Sequence, residues 1–274
     1  MSCSPPALDV GAVAGLYSQL SGVLAGFALT AVFIVISHFL GEAAPTGRRE
    51  EALGQALPAL LAALLGLIFS SLTYCVVAAD GGNRGRVLFE HVVAGVGFSV
   101  AGALLIFAAV LLIEGVLPHD PVHYARRLLG QCAPVPIFAL LCEGAYAYGK
   151  AYYGGRAPGW LGVLIALLLA LVLAVSVLGY AAYGRPGLDG IRVAGGGATR
   201  TISVSGLSIV AMCLLSVLTT MGLADTGCSV PIGAVVAVLF CGFLAAVGMC
   251  VWLFVTRPAR PTVPVPAPTR APVA

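Results

Sequence analysis

Charge is what this chain has least of. Only 9% of its 274 residues are Asp, Glu, Lys or Arg, and 60% are hydrophobic, whereas a water-soluble domain carries roughly a quarter charged residues to cover its surface. That shortage argues against a soluble domain and predicts an integral membrane protein. Lysine is nearly missing: Lys150 is the single one, and the other thirteen basic residues are Arg. With Ala and Gly abundant, this looks like the codon bias of a GC-rich bacterial genome, so the bacterial cytoplasmic membrane is the expected location. The net charge of +3 is small, and its Arg residues stand in short connections beside apolar runs. Their place suits setting orientation in a bilayer rather than binding nucleic acid.

Chemical motifs are scarce as well. The eight cysteines show no CxxC or Cys/His zinc spacing, and Cys132, Cys142, Cys213, Cys241 and Cys250 fall inside apolar runs, where small core residues are expected. Gly195-Gly196-Gly197 is not followed by Gly-Lys-Ser/Thr, so the loop 184–201 is not a phosphate-binding loop and reads as a linker. His119 and His123 have a four-residue spacing that a metal could use, yet nothing at a diagnostic spacing completes the set, and Asp120-Pro121 reads as a turn and cap. No metal and no cofactor is expected. The first sixteen residues hold no Lys or Arg, so the first apolar run is expected to be retained as a span rather than cleaved.

What the chain does have is long apolar runs. About 20 apolar residues cross a bilayer core roughly 30 Å thick, and seven stretches qualify: 17–40, 57–79, 88–117, 128–149, 160–183, 202–223 and 231–255. The expected fold is all-α, one bundle of seven transmembrane helices. Its parts are an outer segment at 1–16, the membrane domain at 17–256 and a Pro-rich, disordered inner tail at 257–274. With the N-terminus outside, ten basic residues fall on inner segments and four on outer ones, which predicts N-out and C-in. Cys3, Cys75 and Cys228 would then lie on the outer side, where a disulfide can persist.

Several runs place small residues four apart, on one helix face, where another backbone can come close. These are Ser18, Gly22, Gly26 and Thr30 in the first run, His91, Gly95, Ser99 and Gly102 in the third, and Gly233, Ala237, Cys241 and Ala245 in the seventh. Gly22, Gly26, Gly95, Gly102 and Gly233 are therefore expected helix-packing positions.

The fourth run is the one place where an ionisable group and a helix interruption coincide. Glu143 lies about 9 Å from the outer end of its run, too deep for the headgroups, and an ionisable group inside a membrane often marks a pathway. Pro134 and Pro136 interrupt the same run, and broken helices are tolerated where they line a cavity or are buried in protein. By contrast, Glu90 and Glu114 are about 36 Å apart along one helix and can rest at opposite interfaces as anchors. At the depth of Glu143 the second run ends with Ser71 and Tyr74 and the third begins with His91. The expected binding site is an outer polar pocket of Glu143, His91, Tyr74 and Ser71.

In topology alone the layout resembles heptahelical receptors and the small sugar transporters of three plus one plus three spans. The Pro-Gln pairs of the latter are absent. A retinal protein needs a Lys deep in its last span, two-haem cytochromes need His paired across spans, and ceramidase-like hydrolases need a late His pair; none is present. Two functions follow from the residues. The first is a non-catalytic accessory or interaction protein whose partners are the bilayer and a membrane protein or second copy. The second is a small-solute or proton-linked transporter using Glu143.

Overall fold

A computed structural model of the chain describes residues 10–41, 48–79, 84–116, 124, 128–129, 133–182 and 231–255. The sixth expected span, the loop 184–201, the tail, Cys3, Cys228, His119 and His123 lie outside the described residues. The six long helices there are α1 (Val10–Gly41), α2 (Arg48–Ala79), α3 (Arg84–Val116), α4 (Pro134–Tyr152), α5 (Gly159–Ala182) and α6 (Ile232–Val255). No strand occurs among the described residues. Four helices, α1, α2, α3 and α5, contain a stretch long and apolar enough to cross a membrane. Helices without strands among the described residues, four of them long and apolar enough to span, give the build of a helical membrane protein.

Two helices begin well before their apolar runs. α1 takes in residues 10–16, and α2 starts at Arg48, nine residues ahead of the expected 57. Hydropathy reports the stretch that suits hydrocarbon, while the backbone hydrogen-bond ladder runs on into polar sequence such as Arg48-Arg49-Glu50-Glu51. α2 also runs through Pro58, which leaves one carbonyl of the preceding turn without its usual donor.

The α1–α2 pair is a close antiparallel hairpin made possible by small side chains. Ala14, Ser18, Ser21, Ala25, Ala28, Val32 and Val35 are the buried positions of α1. They recur at alternating spacings of four and three, the seam of left-handed helix packing. Three clusters follow one another down the α1–α2–α3 sheaf: Ala14 with Val77 and Val87, Ala25 with Leu67 and Ala101, and Val32 with Ala56 and Phe107. The residue numbers rise on α1, fall on α2 and rise again on α3, so neighbours run antiparallel.

α3 is the central element, packing on α1, α2, α4 and α6. Its other side carries Phe89, Val92 and Val96 into a second core with Phe138 and Leu141 of α4, Val172 of α5 and Leu239 of α6. α4 ends in a tight reversal. Gly154 and Gly155 have φ of 69° and 110°, a backbone region that glycine adopts without steric cost. The Gly155 N–H there donates to the Lys150 carbonyl at 2.8 Å, meeting one of the carbonyls a helix end leaves open. α5 then returns alongside α4.

Candidate functional site

Three aromatic rings from three helices meet at the end of the bundle where α1 begins, α2 ends and α3 begins. Tyr17 of α1 stacks on Tyr74 of α2, centroids 5.3 Å apart and planes 20° from parallel. His91 of α3 stands edge-on to both, at 5.7 Å from Tyr17 and 5.4 Å from Tyr74. These are offset-stacked and T-shaped distances, which the ring quadrupoles favour. Tyr74 is only 2% exposed.

The rings border a cavity of about 30 Å³, closed on the α3 side by Gly95, Phe98 and Ser99 and on the α4 side by Leu141 and Gly144. The Tyr74 hydroxyl points toward Gly95: a Cβ on that glycine would stand 3.6 Å from Oη. His91 Nδ1 is buried with no hydrogen-bond partner among the described residues. Ser99 Oγ donates to the Gly95 carbonyl at 2.6 Å, which leaves its own lone pairs to accept.

Of the four residues expected to form a pocket, Tyr74 and His91 meet at this cavity. Ser71 does not line it. Its hydroxyl donates to the Ser18 carbonyl at 3.0 Å, and Ser18 Oγ donates to the Ser71 carbonyl at 3.0 Å, a reciprocal clasp between α1 and α2. Ser18 Oγ is also 3.0 Å from Cys75 Sγ. Glu143 is exposed on α4, next to the lining residue Gly144, and does not itself line the cavity. The residue the sequence reading missed is Tyr17. It stands at the first position of the expected first span, where aromatics belong to an interfacial belt, and only its four-residue offset from the polar Ser21 hinted at an inner role.

Among the described residues, Glu90, expected as an interfacial anchor, is buried between the helices, 1% exposed. Counting residues from a helix end gives depth along the helix, but not the side on which a group stands.

Pro134 and Pro136 are the first and third residues of α4, with Ala133 before them in right-handed helical backbone. In a first turn the missing N–H groups have no intrahelical acceptor to lose. The Ala133 N–H itself donates to the Leu129 carbonyl at 3.3 Å.

The five glycines separate into two groups. A Cβ on Gly95 would touch Leu141 and Tyr74 at 3.6 Å, and one on Gly22 would meet Ser71 Oγ at 3.8 Å. Around Gly26, Gly102 and Gly233 nothing lies within 4 Å of that point. The tightest approaches fall elsewhere: a Cβ on Gly242 would collide with Leu141, and one on Gly149 with Leu161.

Compared with protein-family models, curated proteins and solved structures, the chain matches none.

Proposed function

We infer that the protein is a non-catalytic membrane component that associates with another membrane helix, in a chain crossing the bacterial cytoplasmic membrane seven times, N-terminus out and C-terminus in. The observation that carries this reading is the outer face of α1. Gly22, Gly26 and Thr30 are exposed one helical turn apart, and at Gly26 the backbone has open space beside it. In a bilayer, association gains little from apolar burial and depends on close backbone approach, which a Gly-x-x-x-Gly pair permits. The helix is otherwise clad in bulky lipid-compatible groups, Leu16, Phe27 and Phe33 among them. The partner is another membrane protein or a second copy. The test is self- or hetero-association in membranes of the wild type against Gly26→Leu, in which a branched side chain fills the approach; unchanged association would sink the reading.

A proton-linked transporter is the second reading, favoured by one observation: Glu143 stands on α4 beside Gly144, a lining residue of the cavity that Tyr17, Tyr74 and His91 also line. A cavity of about 30 Å³ is far below the roughly 300–1,000 Å³ of small-molecule sites, so the solute here would be a proton. Proton flux into vesicles that disappears in Glu143→Gln supports this reading, and flux unchanged in that variant excludes it.

A further inference from the structure

We propose that the cavity between α1, α2, α3 and α4 is a built water site, in which one or two ordered water molecules join the Tyr74 hydroxyl to the His91 imidazole inside the membrane. Its physical basis is His91 Nδ1, buried with no hydrogen-bond partner among the described residues. A buried polar group left without a hydrogen bond costs on the order of 1 to 3 kcal/mol, and His91 lines this cavity together with Tyr74, whose hydroxyl is aimed at the wall formed by Gly95. Space is sufficient, since one water needs about 10–15 Å³ on this measure and the cavity offers about 30 Å³.

The partners a water requires are also present. Buried waters make about three hydrogen bonds each. Besides Tyr74, the lining residues include Tyr17, Ser99 and His91, which carry a phenol, a hydroxyl and an imidazole. His91 turns its Cδ2 edge toward Gly144, 3.7 Å from where a Cβ there would stand. A half-turn of the imidazole exchanges that carbon with Nδ1, bringing the nitrogen that lacks a partner to the edge facing a lining residue. Tyr74 and His91 pack edge-on at 5.4 Å between centroids, and no described residue reaches His91 Nδ1 with a hydrogen bond. Water is the species of the right size and valence to join them. The site stands on the cavity alone and holds whichever function the protein has.

The two lining glycines provide the test. A Cβ at Gly95 would meet its neighbours at 3.6 Å and one at Gly144 at 3.5 to 3.7 Å, ordinary contacts that fill the cavity without forcing the helices apart. X-ray radiolysis of the full chain in proteoliposomes generates hydroxyl radicals from water at the spot and oxidises adjacent rings, which mass spectrometry maps. In the wild type, Tyr74 is expected to be modified at a rate comparable to the exposed Tyr153, with the Tyr74 rate falling about fivefold in Gly95→Ala or Gly144→Ala while Tyr153 is unchanged. Should one variant fail to fold, the other decides. A Tyr74 that stays unmodified in the wild type shows a dry cavity and overturns the proposal. Modification that persists undiminished in a folded cavity-filling variant overturns it too, because the water then lies elsewhere.

Discussion

The rings of Tyr17 and Tyr74 stack with an offset across the α1–α2 interface, 5.3 Å between centroids, and His91 closes on both from α3. One contact thus ties the three helices of the sheaf at one end. Stacked aromatics contribute about 0.5–1.5 kcal/mol beyond their buried area. Tyr74→Ala, at a site with almost no exposure, is expected to cost about 3 kcal/mol. Tyr17→Phe keeps the stack and should leave stability within about 0.5 kcal/mol. Unfolding of the protein in mixed micelles by added denaturing detergent measures both; a Tyr74→Ala protein as stable as wild type would show that the cluster holds nothing together.

Ser18 and Ser71 exchange hydrogen bonds with each other's carbonyls, so each hydroxyl serves the same joint. Interhelical hydrogen bonds in membranes average about 0.6 kcal/mol. Ser18→Ala and Ser71→Ala are each expected to lower stability by about that amount, and the double variant by less than their sum, because residues in one network do not add. Strict additivity in a double-mutant cycle would mean that the two hydroxyls are independent.

Glycines that look alike in sequence are expected to respond in opposite directions. In Gly242→Ala the new methyl collides with Leu141, and overpacking of this kind costs about 1–3 kcal/mol. At Gly102, midway along α3 with nothing within 4 Å, Ala should be neutral or stabilising by up to about 1 kcal/mol, because mid-helix glycine is the weaker helix former. Parallel unfolding of the two variants is the check, and equal losses would contradict the packing described.

The carboxylates should differ in reach. Glu143 is exposed on α4, whereas Glu90 is buried and already engaged. A hydrophobic carbodiimide, which attacks protonated carboxyl groups from the nonpolar phase, is expected to modify Glu143 well before Glu90 in peptide mass maps. Modification of Glu90 first would reverse the assignment of inner and outer faces.

The difference between those two carboxylates also shows what the sequence conveys. Six of the seven apolar runs, 17–40, 57–79, 88–117, 128–149, 160–183 and 231–255, contain the cores of described helices, since length and hydropathy are one-dimensional properties. Tyr74 and His91 were legible because polar groups near the same end of adjacent antiparallel runs come to one level. The side of the helix was not legible. These helices are apolar all round, so no polar stripe separates the face turned inward from the face turned to lipid. A four-residue spacing puts Gly22 and Gly26 on one side of α1 without saying which side, and the seam against α2 falls to Ser18, Ser21, Ala25 and Ala28 instead. For the same reason depth alone singled out Glu143, while burial belongs to Glu90.

The most direct test of association through α1 is photo-crosslinking in intact membranes. A photoreactive residue replaces Val23, 57% exposed beside Gly22 and Gly26, and in a control Val177 of α5, 56% exposed. The account predicts a discrete protein adduct from position 23, lost when Gly26→Leu is added, and only lipid adducts from position 177. Lipid adducts alone from both positions would contradict it.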